Sequence, residues 1–317
     1  MSTIWLDTGT FHEHGGWRLD TQFTHLTGAS CLVAAGAGEP VADAEHRFGV
    51  PEAGTYRLWV YSRNWLPEHS PGRFRVRIHA ALDAAPLNDE RAFGEQQAEG
   101  WCWEDGGTLQ PAERSHAPSL RHATGQSGPC GVLLPTTALD YVPPTGAEAV
   151  LAERRRITGQ PEEAVAEDYD LVVAGAGIAG VCAAVAAARH GLRTVLLSDR
   201  PIVGGNASDE LGVGVNGAGV QRTHVRELGI ISEIVEEHAR HGCHGWTAAC
   251  LHVIEAEEDL DVVCHCRVTA VRMRDEKTVE AVETLDPRDG TPGLFRAPLF
   301  VDATGDGWIG FFAGADS

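Results

Sequence analysis

Asp170-Leu171-Val172-Val173-Ala174-Gly175-Ala176-Gly177-Ile178-Ala179-Gly180 reads as a short buried strand, a glycine turn and the start of a helix. That order opens a dinucleotide-binding βαβ unit. Gly175 permits the tight turn, Gly177 lets backbone approach a pyrophosphate, and Gly180 allows close packing of helix on strand. The helix beginning at Ile178 offers unpaired N–H groups and a partial positive charge to phosphate. A G-x-G-x-x-G run alone is common. The preceding strand and the following helix make this one a nucleotide signal.

Downstream, the pattern continues with helix Ile178–His190, stopped by Gly191, and strand Arg193–Ser198. Counting on from Gly180, the usual ribose-binding acid falls on Ser198, with Asp199 next. Either could hydrogen-bond a ribose hydroxyl. Asp199 would repel a 2′-phosphate, although Arg200 beside it blurs that discrimination. In Gly204-Gly205-Asn206-Ala207-Ser208 a double glycine suits bare backbone passing against a flat cofactor, or equally a flexible surface loop. The segment Val203–Gly219 carries little secondary-structure signal. Helical patterns over His224–Arg240 and Trp246–Glu258 precede strand Asp261–Cys266. Strands Val268–Arg274 and Thr278–Leu285 follow, joined by Asp275-Glu276-Lys277. Leu299–Asp302 reads as a buried strand entering Ala303-Thr304-Gly305-Asp306-Gly307. Small residues there let the strand end approach a nucleotide, and Asp306 could accept hydrogen bonds from a hydroxyl or neighbouring backbone.

Upstream, the first 140 or so residues read as β. In Arg73–His79, Phe74, Val76 and Ile78 share one face and Arg73, Arg75 and Arg77 the other, a half-solvated antiparallel strand. Tyr56–Ser62 is a second clear strand. Turn signals at Pro51–Gly54, Ser70–Gly72 and Asp105–Gly107 complete the pattern of an all-β sandwich over residues 1–143. Trp101 and Trp103 share one strand face. With Trp17 and Trp65 they could form a sugar-stacking platform, although tryptophan in a small sandwich more often belongs to the core. Residues 144–168 read as a linker with a helical turn or two around Ala147–Ile157, and Arg154-Arg155-Arg156 as a solvated face.

At 317 residues the chain has room for two domains. Its 25 basic and 45 acidic residues give a formal charge of −20, so nucleic acid and anionic membrane surfaces are not expected partners. No apolar run reaches membrane-spanning length, and the N-terminus carries no secretory signal, so a cytoplasmic location is expected. Lys277, the sole lysine, sits in a charged turn, which argues against Schiff-base chemistry. The eight cysteines contain no C-x-x-C pair and no four at zinc or iron–sulfur spacing, so no metal site is expected. Cys264-His265-Cys266, the tightest cluster, is expected to be strand, with both thiols half-buried on one face.

Taken together, Gly175-x-Gly177-x-x-Gly180, Asp199-Arg200-Pro201, Gly204–Ser208 and Ala303–Gly307 resemble the bacterial FAD-dependent oxidoreductases. That broad family is loosely grouped with the flavin-bearing component of heterodisulfide reductase. Gly16–Phe23, Pro51–Arg57 and Trp103–Gly107 resemble the golvesin-type β-sandwich that precedes the flavin domain in some members. The resemblance implies an α/β Rossmann-like FAD-binding domain, a parallel sheet with a β-meander, over 169–317. An all-β, carbohydrate-binding-like sandwich precedes it. It further implies non-covalent FAD, with Gly175, Ala176, Gly177, Ile178, Ala179 and Gly180 on the pyrophosphate. Ser198 or Asp199, with Arg200 adjacent, would lie near the ribose and Val268 near adenine. Gly204, Gly205, Asn206 and Ala207 would lie near the pyrophosphate or isoalloxazine, while Ala303, Thr304, Gly305 and Asp306 close the site.

Some relatives carry a [4Fe–4S] cluster, which the cysteine spacing here does not support. Members also continue for several hundred residues past the A-T-G-D-G strand, so a chain ending at Ser317 is expected to be a fragment or a shortened form. The expected function is flavin-mediated hydride or electron transfer on a small molecule, carbohydrate-related if the sandwich binds sugar. The alternatives are a non-catalytic nucleotide- or carbohydrate-binding fragment and an NAD-dependent dehydrogenase. The β-excursion and the A-T-G-D strand argue against the last. No catalytic residue can be named; His224 and Arg226 are candidates by position only.

Overall fold

The computed structural model describes residues 2–79, 87, 91–98, 100–111, 115–161, 164–215, 229–241 and 245–315. The chain divides into two units, residues 1–162 with 288–290, and residues 163–287 with 291–317. His224, Arg226 and the start of the expected His224–Arg240 helix lie outside the described residues.

In the first unit the strands are β1 (Leu6–Asp7), β2 (Trp17–Asp20), β3 (Cys31–Ala34), β4 (Ala44–Glu45), β5 (Phe48–Gly49), β6 (Tyr56–Asn64), β7 (Phe74–His79), β8 (Ala92–Phe93), β9 (Gly100–Leu109), β10 (Ser115–His122) and β11 (Gly128–Thr136). They form two sheets of antiparallel pairs. One has the order β2-β3-β11-β6-β9 with β1 on β11, the other β4-β10-β7-β8 with β5 on β10. Period-two alternation explains their packing. Phe74, Val76 and Ile78 of one sheet share a core with Leu58, Val60 and Leu133 of the other. Each is at most 1% exposed, and each such burial contributes roughly 1.5–3 kcal/mol.

Trp17 belongs to that core, 3% exposed and edge-on to Phe74 at 5.8 Å. Trp101 and Trp103 pack with Tyr61 on the opposite face of their sheet, and Trp65 lies against Phe23. Trp17, buried in the core between the sheets, is therefore separated from the other three, whereas Trp65 and Trp101 both lie against Phe23 and Trp101 and Trp103 both against Tyr61.

Among the described residues of this unit two α-helices occur, α1 (Thr24–Thr27) and α2 (Ala147–Thr158). The second ends on Gly159, whose positive φ of 73° provides the left-handed cap. It covers the second face of the larger sheet through Val150, which packs with Trp59, Val132 and Leu134. The arginine triplet is not a solvated face throughout. Arg154 is 3% exposed, and its Nη2 donates to Asp7 Oδ2 at 2.7 Å.

The second unit contains β12 (Ala166–Asp168), β13 (Leu171–Ala174), α3 (Ile178–Arg189), β14 (Thr194–Leu197), α4 (Ile230–His241), α5 (Trp246–Glu255), β15 (Leu260–Val263), β16 (Arg267–Asp275), β17 (Thr278–Leu285), β18 (Pro292–Arg296), β19 (Leu299–Asp302) and α6 (Trp308–Phe312). A parallel sheet runs β15-β14-β13-β19. Its central strands read as unbroken apolar runs because both faces are covered. Val173 and Leu196 face Val181, Ala184 and Val253 of the helices. Val172, Val195 and Leu197 face Val268, Val282 and Phe295 of a second sheet, β12-β18-β17-β16.

Three local expectations change. β15 stops at Val263, and His265 has φ 52°, so Cys264-His265-Cys266 turns rather than extends. β19 is an edge strand with Leu299 57% exposed, because only β13 pairs with it among the described residues. β12, inside the expected linker, pairs in parallel with β18, a strand whose Pro292-Gly293 start gives no strand signal. No helix among the described residues is long and apolar enough to cross a membrane.

Candidate nucleotide site

The site forms where β13, β14 and β19 end. Gly175 turns the chain with φ 98°, and a side chain there would collide with the Ala303 carbonyl, so the turn is pressed against the end of β19. Gly180, in the first turn of α3, sits under the Gly175 carbonyl with no space for a Cβ. The helix can approach the strand only as glycine. Gly177 differs from both. As the N-cap of α3 it has φ −69° and ψ 175°, and a Cβ built on it meets no atom within 4 Å. Its open side and the free N–H groups of α3 make a surface suited to a phosphate. Ala176 is buried beneath the loop, while Ile178 is partly buried and Ala179 exposed on the helix's first turn.

The double glycine docks on this loop. Gly204 N–H donates to the Ala176 carbonyl at 2.7 Å, and Gly204 bridges Gly177 in a parallel pairing. A Cβ on Gly205 would lie 2.8 Å from the Gly177 Cα, so two bare backbones cross where side chains could not. Positive φ at both positions (107° and 58°) requires the same residue type. Ala207 anchors the segment in the core, and Asn206 is exposed while its carbonyl accepts from Val213 N–H. Gly204–Ala207 are thus tied to the first loop by backbone contacts. They form a one-turn 3-10 helix. Residues 216–219, the end of the expected glycine-rich segment, lie outside the described residues.

At the end of β14 the two ribose candidates separate. Ser198 is 3% exposed; its hydroxyl donates to the Ile202 carbonyl and accepts from Arg200 N–H, which closes the turn. Asp199 is half-exposed and faces a cleft also lined by Gly175, Val268, Thr304, Asp306 and Trp308. Arg267, the first residue of β16, reaches Asp199 with Nη1 2.9 Å from Oδ2, while its guanidinium lies 5.1 Å from the Trp308 ring. Sequence reasoning picked Val268 and missed its neighbour Arg267, because an arginine opening a strand carries no local signal. Arg200 points elsewhere, with Nη1 3.7 Å from Glu210.

The backbone contacts expected of Asp306 are made by Asp302. Its Oδ1 accepts from Thr304 N–H and hydroxyl at 3.1 and 2.7 Å, and its Oδ2 accepts from Ile309 and Gly310 N–H at 2.7 and 3.2 Å. Asp302 thus caps α6 and shapes Ala303–Gly307, leaving Asp306 exposed on the cleft rim. The signal was present as an acid seven residues before Ile309, but loop-mediated caps of that span are not readable from spacing.

Residues 170–317 match the model of the FAD dependent oxidoreductase family. The match runs from β13 through α6 and so contains both glycine loops, the Asp199–Arg267 pair and the A-T-G-D-G turn. No curated protein matches the chain. Similar solved structures include an L-proline dehydrogenase from P. horikoshii, 18% identical with TM-score 0.31, covering 45% of this chain and 24% of that one. Thermovibrio ammonificans THI4 is 17% identical with TM-score 0.33, covering 43% of this chain and 57% of that one. A family 35 carbohydrate binding module from Clostridium thermocellum is 14% identical with TM-score 0.35, covering 44% of this chain and all of that one. The chain spans 18% of a Paenibacillus cycloisomaltooligosaccharide glucanotransferase that it also resembles. At these TM-scores the likenesses fix neither fold nor chemistry.

On the cleft wall, burial pushes the Cys266 thiol up to about 12, so it is protonated at neutral pH. Among the described residues no group of three or more His, Cys, Asp or Glu could hold a metal ion. The residues present do suit a dinucleotide. They provide an open N-cap glycine at a helix start, a second bare backbone against it, and a carboxylate at the adjoining strand end.

Proposed function

We propose that the second unit is a Rossmann-like domain binding FAD non-covalently, and that the protein is an FAD-dependent oxidoreductase acting on a small molecule. The observation that carries this reading is the crossing of Gly204–Gly205 over Gly177, at the start of α3. It joins two phosphate-compatible backbones into one cradle, within the segment that matches the FAD dependent oxidoreductase family. The sheet order β15-β14-β13-β19, third, second, first and last along the chain, supports the same fold.

In this reading Gly175–Gly180 and Gly204–Ala207 line the pyrophosphate, with the first-turn N–H groups of α3 donating to it while the Gly175, Gly204 and Ala207 N–H groups hold the loops together through the Leu197, Ala176 and Gly204 carbonyls, and Asp199 accepts from the adenosine ribose. Val268 packs near adenine, and Ala303–Asp306 close the site. Bound FAD supplies hydride or electron-pair transfer; the chain's own residues bind it, orient it and exclude water. We read the first unit as a golvesin-like β-sandwich. Calorimetric titration of the chain with FAD and with NAD, together with its visible spectrum, tests the proposal. Tight 1:1 FAD binding with a flavin spectrum is expected; binding of NAD in preference to FAD overturns it.

A further inference from the structure

We propose that His12 and His46 form a binding site for a divalent transition metal of tetragonal preference, Cu2+ or Ni2+. The pair lies in the first unit, so the flavin reading stands or falls without it. Glu13 and Glu45 exchange both backbone hydrogen bonds, Glu13 N–H donating to the Glu45 carbonyl at 3.1 Å and Glu45 N–H to the Glu13 carbonyl at 2.7 Å. The next opposed pair along these antiparallel segments is His12 and His46. It falls at the non-hydrogen-bonded position, where side chains on one face approach most closely. The two histidines are 34 positions apart in the chain, yet their Nδ1 atoms are 2.7 Å apart.

The rings are held ready for chelation. Their centroids are 4.4 Å apart and their planes inclined by 21°; with the Nδ1 atoms closer than the centroids, the rings meet edge to edge. Phe11, 4% exposed in the core, stacks on His46 at 5.0 Å and fixes that ring. His12 is exposed, which leaves an approach from solvent. Without a metal, one Nδ1 must carry a hydrogen and donate it to the other. With a metal, both Nδ1 atoms are ligands and each neutral ring carries its hydrogen on Nε2, so no net proton is released. Burial, then His12, lower the His46 pKa to about 4, so protons compete weakly for that ring. At a metal–nitrogen distance of about 2.0–2.1 Å, a right angle at the metal sets the nitrogens roughly 2.9 Å apart and a tetrahedral angle roughly 3.3 Å. The observed 2.7 Å is nearer the first, which suits tetragonal Cu2+ or Ni2+ rather than tetrahedral Zn2+. Among the described residues no third His, Cys, Asp or Glu joins the pair, so the other positions fall to water or an added ligand. The formal charge of −20 favours cations near the surface.

Calorimetric titration of the full, untagged chain with Ni2+ and with Zn2+, after EDTA treatment and dialysis, tests the site. Ni2+ is the probe because Cu2+ oxidises thiols, of which the chain has eight. One saturable Ni2+ equivalent is expected, bound more tightly than Zn2+. His12→Gln and His46→Gln should each weaken it at least tenfold. His14→Gln, on the same segment but outside the pair, should leave it unchanged. Saturating Ni2+ should raise the thermal midpoint of the wild type and of His14→Gln, and not that of either pair variant. Because His12 is exposed, His12→Gln keeps the fold, and its metal-free thermal midpoint verifies this. Absence of a Ni2+ equivalent in the wild type, an equivalent that survives loss of His12, or Zn2+ bound as tightly as Ni2+ overturns the proposal.

Discussion

Gly177→Ala separates binding from folding. At φ −69° and ψ 175° alanine is unstrained, and its methyl meets no atom within 4 Å. Replacing glycine at a compatible position reduces the freedom of the unfolded chain, so stability should be unchanged or higher by about 0.4–1 kcal/mol. The methyl nevertheless occupies the open side of the cradle. Displacing a phosphate from it costs at least one charge-assisted hydrogen bond, about 1.5–3 kcal/mol, or roughly 10- to 100-fold in affinity. Gly180→Ala is the counterpart. Its methyl would overlap the Gly175 carbonyl and sit 3.3 Å from the Ala303 Cβ, so it should lose about 1–3 kcal/mol of stability. Flavin-fluorescence titration and calorimetric unfolding on both variants give the comparison. Wild-type FAD affinity in Gly177→Ala, or a destabilisation of that variant matching Gly180→Ala, would overturn this separation.

Other outcomes follow from the same geometry. Arg154→Met leaves Asp7 buried without its guanidinium and should cost about 3–5 kcal/mol in denaturant unfolding, whereas Asp7→Asn/Arg154→Met should recover much of it. His46, packed against His12, has its pKa lowered by burial and then by His12, from 6.5 to about 4. The folded state therefore resists a proton that the unfolded chain accepts. The neutral ring's contribution is full above pH 6.5 and fades as pH falls toward 4; solvent screening discounts it to about 1 kcal/mol. His46→Gln should flatten the fall in unfolding free energy across that window; an identical pH slope would count against this. Asp302→Ala removes the cap of α6 and should cost about 1–2 kcal/mol, read by thermal unfolding, with faster amide exchange at Ile309 and Gly310.

What could be read from sequence was what is local. The strand, turn and helix from Leu171 to Arg189 are encoded by consecutive apolar residues, three glycines and an alanine-rich helix, and all three appear where expected. The alternation in Phe74–Ile78 likewise fixed which face enters the core. Contacts between distant residues were not legible. Arg154 looks solvated beside Arg155 and Arg156 until Asp7, 147 positions away, is brought to it. Asp199 acquires Arg267 across 68 positions, and the sequence holds no sign of that pairing. Cys264–Cys266 misled because alternation implies extension, whereas positive φ at His265 breaks it. Trp17 and Trp101 share a residue type and lie on opposite faces of one sheet, which composition cannot distinguish.

Hydrogen–deuterium exchange with and without FAD shows most directly whether the two glycine loops of the second unit together hold the dinucleotide. Protection is expected together in residues 174–181, 197–207 and 303–309, because one ligand spans all three. Protection confined to the first unit, or absent from the Gly204–Ala207 segment while FAD is bound, would mean that the loops do not share the ligand.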